Sequence, residues 1–319
     1  MENYIQEPPF CIQVELTEGC NLQCSFCGIQ GIREKSGGPF KFLTLAIAET
    51  VAKSIAKAGW TSRIEFAMHG EPSMNPEREA IVRAFRTALP RNQIMMTSNG
   101  GGLLAAPDKS IAGLFAAGLN ILALDNYKSV PIVPKILDRY TGDIPIHHYP
   151  AEGLELSPHR RWPGRTKVII IIQDLLEAAA GSHAVITNHC GCGSAPTQIK
   201  ATQRCAKPFR ELGVRWDGSI AGCCNDWRGV VKVGNAATND IAKLWQGPVL
   251  NAMRHKLYAG ERDFGACDGC DYVSYRNGLL PDKLGKLELP APTAVHNRVL
   301  KAATANGTLT QIVLRPWEK

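Results

Sequence analysis

The residues of this chain best able to do chemistry are its eleven cysteines. Cys20, Cys24 and Cys27 form a C-x3-C-x2-C run on one short stretch. Three thiolates so close together can hold three irons of a cubane iron–sulfur cluster and leave the fourth iron open. Zinc fits this spacing poorly, because its structural sites take four ligands and are usually written as C-x2-C pairs. A second set is spread wider: Cys205, Cys223 and the pair Cys267 and Cys270. Four thiolates complete a cluster with no open iron, and for these four alone zinc is the alternative. An odd number of cysteines in a chain expected to be cytosolic favours metal binding or catalysis over a disulfide framework.

Alternating strand-like and helix-like segments must position the first set. Cys11 to Leu16 reads as a strand running into the cysteine loop, and Thr44 to Ala58 has the apolar spacing of a helix stopped by Gly59. Strands are then predicted over Arg63 to Ala67, Gln93 to Thr97 and Asn120 to Leu124, with helices over Glu77 to Leu89 and Ile111 to Ala117. This alternation predicts an α/β fold with a parallel sheet and helices outside it, a barrel or part of one. The pattern loosens from Asn126 to Lys167, and Val168 to Ile172 is a continuous apolar run suited to a strand buried on both faces. A boundary is expected near Gly181, since seven of the eleven cysteines lie beyond it. The stretch Lys286 to Lys319 reads as a tail or late-docking segment.

The triad, with Phe26 just before its third cysteine, resembles the cluster loop of the radical S-adenosylmethionine (SAM) superfamily. Two further stretches stand in the order that this family uses. Gly70-Glu71-Pro72 follows a predicted strand and resembles the motif that binds the amino group of SAM, although His69 stands where a second glycine is usual. A carboxylate suits an ammonium, as a charge-assisted acceptor. Ser98 and Asn99 follow the next strand and resemble the ribose-contacting stretch, and Asp125 ends the fourth strand at a similar height. The resemblance covers residues 11 to about 125. It implies a partial (β/α)6 barrel over residues 1–180, holding SAM and a catalytic [4Fe-4S] cluster. The open iron would chelate SAM and pass it an electron, giving a 5′-deoxyadenosyl radical that abstracts hydrogen, with an electron donor such as flavodoxin or ferredoxin as partner.

Cys205 with Cys223, Pro208, Phe209 and Trp245 around them resembles the auxiliary-cluster extension called SPASM, or its shortened twitch form. That resemblance implies one auxiliary [4Fe-4S] cluster on Cys205, Cys223, Cys267 and Cys270, within a small cysteine-rich domain over residues 181–286. The chain between the first two ligands reads as a hairpin with Asp217-Gly218 at its turn, carrying Cys205 and Cys223 on its arms. Cys224 is surplus to the four. Its position is that of an acid/base or hydrogen-donating residue in relatives, and a thiol there favours epimerisation; ligand exchange with Cys223 or an inert buried thiol are the alternatives. Asp226 is a candidate base for a dehydrogenation. Cys190 and Cys192 have no assigned role, and Cys11 reads as a packed core thiol.

The formal charge of +7 favours an anionic partner mildly and does not establish nucleic-acid binding. The N-terminus lacks the features of a signal peptide, and the longest apolar run is too short and too polar for a membrane span, so a cytoplasmic protein is expected. The basic, aromatic stretches His147 to Tyr149 and His159 to Arg165 read as surface loops. The leading expectation is epimerisation or oxidation of a peptide or carbohydrate-type small molecule. Modification of RNA or a nucleotide is one alternative, and a non-catalytic iron–sulfur or zinc protein another.

Overall fold

The computed structural model describes residues 7–24, 26–32, 40–127, 129–149, 166–172, 188–193, 204–272 and 293–305. Strands β1 (Cys11–Val14), β4 (Arg63–Phe66), β5 (Ile94–Ser98), β6 (Ile121–Asp125), β7 (Ile146–Tyr149) and β8 (Val168–Ile172) form a parallel sheet in the order β1-β4-β5-β6-β8-β7. Between them run α1 (Leu45–Lys57), α2 (Arg78–Ala88), α3 (Pro107–Ala117) and α4 (Ile132–Leu137). The two-residue strands β2 (Thr17–Glu18) and β3 (Lys41–Phe42) make a small ribbon beside the cysteine loop.

Side chains alternate across each strand, and that period divides the barrel. Ile12, Val14, Ile64, Phe66, Ile94, Met96, Leu122 and Leu124 pack outward under the helices, in one core with Val51, Ile55, Ile81, Phe85 and Leu114. Each such side chain contributes about 1.5–3 kcal/mol by leaving water. The opposite face of the sheet carries a second cluster of Met95, Ile121, Ala123, Val168 and Ile170. On the β1–β4 side that inner face turns polar: Cys11 pairs with Arg63 and Gln13 with Glu65. Arg63 Nη2 donates to Glu65 Oε2 at 2.9 Å, and the Cys11 thiol donates to the same oxygen at 3.4 Å. Cys11 is thus buried as expected, but on a polar wall.

The cysteine-rich part adds to the same sheet. A helical turn, α5 (Lys207–Arg210), leads into β9 (Glu211–Val214), which pairs parallel with β1. β9, β10 (Ser219–Ala221) and β11 (Lys232–Asn235) then run antiparallel, giving a nine-stranded sheet among the described residues. Helices α6 (Ile241–Trp245) and α7 (Pro248–Tyr258) close over it.

Several expectations need correction. The hairpin turns at Asp217-Gly218 as predicted, but Cys205 precedes a helical turn and does not lie on a hairpin arm. His147 and His148 lie on strand β7 and not in a loop. The C-terminal stretch contains α8 (Ala294–Ala305), whose Val299, Leu300 and Ala303 are buried in the main core. α3 begins at Pro107, four residues before the predicted start, because proline is well suited to the first helical turn. The expected boundary near Gly181 and the stretch His159 to Arg165 lie outside the described residues.

Candidate active site and cluster sites

The triad sits on the loop after β2, at the C-terminal end of the barrel strands. Cys20, Cys24 and Cys27 form no disulfide and are of intermediate exposure. Burial pushes the Cys20 thiol up to about 12, and the nearby Glu71, Cys27 and Cys24 add to the rise. Two donors already point at its sulfur: Leu22 N–H at 3.3 Å and Asn99 Nδ2 at 3.4 Å. Donors converging on a thiol that burial would keep protonated suit a metal-bound thiolate. Tyr127 lies over the same loop with its ring 6.1 Å from Phe26, and burial followed by the charge of Asp125 pushes its hydroxyl up.

Gly70 sits at φ 80°, and a Cβ there would lie 2.3 Å from Thr17 O and 2.4 Å from Gly19 O. Only glycine brings this loop against the cysteine loop, where Glu71 N–H donates to Gly19 O at 2.9 Å. Glu71 is buried. It accepts from Ser73 N–H at 2.8 Å, from the Ser98 hydroxyl, and from Asn99 N–H at 2.8 Å. Burial raises its carboxyl, and these bonds from Ser73, Ser98 and Asn99 oppose the rise. Asn99 in turn bonds Asn21 Oδ1 at 3.0 Å as well as Cys20. Pro72 starts a 3-10 turn over Pro72–Met74. The structure therefore gathers Gly70, Glu71, Pro72, Ser98, Asn99 and the triad, with Asp125 at the end of β6. Across the two loops the Ser98 hydroxyl and the Glu71 carboxylate face each other.

The second set converges on a separate cavity. Cys205, Cys223, Cys267 and Cys270 line it together with Cys190, Lys207, Asp226 and Tyr272. Asn225 N–H points at Cys223 Sγ at 3.4 Å and Tyr272 N–H at Cys270 Sγ at 3.5 Å. Among the described residues no three His, Cys, Asp or Glu side chains are close enough to share a single metal ion. Four thiols around one cavity are the ligands that a cluster with no open iron takes. Cys190, to which the sequence assigns no definite role, joins this cavity, and its thiol bonds the Cys270 sulfur.

Cys224 and Asp226 part company here. The Asp226 carboxylate accepts from Val230 N–H and Val231 N–H, both at 2.8 Å, and so holds its own loop closed. Cys224 Sγ lies 3.0 Å from Lys207 Nζ, and the same ammonium lies 3.0 Å from Glu211 Oε2. A bond from Cys223 and the Lys207 ammonium hold the Cys224 thiol below its ordinary range, against burial. Neither Lys207 nor Glu211 carries a motif that would single it out in the sequence.

A barrel with a three-cysteine loop and a glycine-lined cradle at its strand ends, joined to a cavity lined by five cysteines, defines a SAM-dependent iron–sulfur protein with an auxiliary cluster site. Residues 14–139 match the radical SAM superfamily, and residues 205–271 match the iron–sulfur cluster-binding domain SPASM. The chain belongs to the radical SAM superfamily and carries a SPASM domain. The GTP 3′,8-cyclase of Vibrio cholerae is 26% identical over 142 residues, which are 44% of this chain and 40% of that protein. That of Mycolicibacterium smegmatis is 34% identical over 110 residues, 34% of this chain and 28% of the relative. The chain thus spans under half the length of these relatives. Among solved structures, BtrN in complex with AdoMet and 2-DOIA superposes with a TM-score of 0.60 at 19% identity, covering 84% of this chain and 95% of BtrN. BtrN in an open conformation gives 0.57 at 16% identity, covering 84% and 95%. Among the described residues no helix is long and apolar enough to cross a membrane.

Proposed function

We propose that this protein oxidises a carbohydrate-type small molecule by SAM-dependent hydrogen abstraction. When bound, SAM and the two clusters supply the hydrogen-abstracting radical and a place for the electron that leaves. Converting an alcohol to a carbonyl removes one hydrogen atom, one proton and one electron. The chain's own contribution is to bind the substrate and take the proton.

The observation that carries this reading is Lys207 Nζ at 3.0 Å from Cys224 Sγ, with Glu211 on the same ammonium. A lysine side chain has only donors, so its approach favours the thiolate. A thiolate has no S–H to return to a carbon radical, as epimerisation would need; it can accept a proton. The polar inner wall of Gln13, Arg63 and Glu65, facing the apolar wall of Ile121 and Ile170, supports a small hydroxylated substrate over a long peptide. The curated relatives favour a second reading, a nucleotide substrate such as the GTP in their name.

The test is anaerobic turnover in deuterated water, with 2-DOIA, GTP and a short peptide offered separately. A polyol-type product two mass units lighter, formed once per SAM and free of carbon-bound solvent deuterium, supports oxidation. Deuterium at carbon in an otherwise unchanged product overturns it in favour of epimerisation. Turnover of GTP alone overturns the substrate class.

A further inference from the structure

His69 occupies the position where a glycine is usual, and its side chain is fully buried. Its Nδ1 lies 2.9 Å from Glu15 Oε1, on the residue that follows β1, and its Nε2 lies 2.8 Å from the carbonyl oxygen of Cys224. Both partners are acceptors, so satisfying both requires a hydrogen on each ring nitrogen. Glu15 is itself held from its other oxygen, with Trp216 N–H donating to Oε2 at 3.1 Å and Arg215 Nε 3.9 Å away. Trp227 lies against the imidazole with ring centroids 4.4 Å apart.

The Cys224 carbonyl shares its peptide unit with Asn225 N–H, and that N–H points at the sulfur of Cys223 at 3.4 Å. A donor on the carbonyl end of a peptide polarises it and strengthens its N–H as a donor. Hydrogen bonds to ligand sulfurs favour the reduced, more electron-rich state of a cluster. We infer that His69 is a positioning residue for the auxiliary centre: it ties the loop that holds Gly70 and Glu71 to the peptide bonded to Cys223, and so raises that centre's reduction potential. The substitution of the usual glycine thereby links the two cofactor sites through one side chain.

The test uses the full chain loaded with both clusters, titrated by EPR-monitored reduction. Addition of SAM identifies the open-iron centre, because only that signal responds. His69→Phe keeps the ring against Trp227 and removes both donors, while His69→Gln keeps a donor for the Cys224 carbonyl. Expected are unchanged iron and sulfide contents, a lower auxiliary midpoint in His69→Phe with the other centre unmoved, and recovery of most of the shift in His69→Gln. Equal midpoints in wild type and His69→Phe would overturn the inference, as would a shift of both centres together. If His69→Phe fails to hold the auxiliary cluster, His69→Gln must hold it with a near-native midpoint; failure of that rescue also overturns it.

Discussion

At the residue scale, the cradle depends on positions with no room for change. Gly70 combines a left-handed backbone with two backbone oxygens less than 2.5 Å from any added Cβ. Neither oxygen can move without moving the cysteine loop, so Gly70→Ala should cost about 3 kcal/mol. The expected outcome is retention of both clusters with SAM bound roughly 10²-fold more weakly, measured by calorimetry and by the SAM-induced change in the EPR signal. Unchanged SAM affinity would show that the loop is not part of the cradle. The triad and Gly70-Glu71 were legible in the sequence because their chemistry is written in adjacent residues. His69 was not, since its role arises from a partner far along the chain, Cys224 lying 155 residues away; Lys207 and Glu211 stand one helical turn apart and were missed because no motif marks them. The Asp226 carboxylate accepts from the amides of Val230 and Val231, a local loop closure that no motif in the sequence announces.

At the element scale, one buried and one half-buried charge tie neighbouring elements together. Arg254 on α7 donates to Pro208 O at 2.8 Å and Trp245 O at 2.7 Å, with its guanidinium 4.1 Å from the Trp245 ring. It therefore fastens α5, α6 and α7 together. Arg254→Ala leaves two buried carbonyls without this donor and should cost about 3 kcal/mol, read as a Tm lower by about 6 °C. Glu18 joins the β2–β3 ribbon to Arg215 just before the hairpin turn. Burial raises its carboxyl, but the bond from Lys41 and the charge of Arg215 outweigh it and hold the group below its ordinary range. Its contribution is present above the unfolded pKa and is lost as pH falls through the folded one. Glu18→Gln should therefore flatten the acid limb of the stability profile measured by denaturant unfolding; an unaltered limb would contradict this. The βα alternation up to β6 was legible from periodicity. β7 and α4 were not, because Pro131, Pro134 and Pro145 interrupt the pattern while tertiary pairing with β8 supplies what local propensity lacks.

At the scale of the whole molecule, the two cofactor-bearing parts share one sheet, with β1 paired to β4 on one side and β9 on the other. A division by composition near Gly181 concealed this continuity, since hydrogen bonding between distant strands leaves no trace in local pattern. The continuity also makes the two cysteine sets unequal in their hold on the fold. Cys205 and Cys270 belong to the main core, with Leu212, Leu257 and Tyr272. Cys20 and Cys27 border only the small cluster of Ile29, Cys192 and Trp227. Binding energy at a site formed only in the folded state becomes folding energy, so a cluster inside the cooperative core stabilises the whole sheet, and one on a surface-facing loop stabilises little more than that loop. Reconstituted wild type should carry about eight irons, and both Cys20/Cys24/Cys27→Ala and Cys205/Cys270→Ala about four. The first variant should melt within about 2 °C of wild type, while the second should lose more than about 5 °C in a single transition. Equal melting of the two variants would show that the auxiliary site lies outside the cooperative unit. Two separate transitions in wild type would show that the shared sheet does not couple its halves.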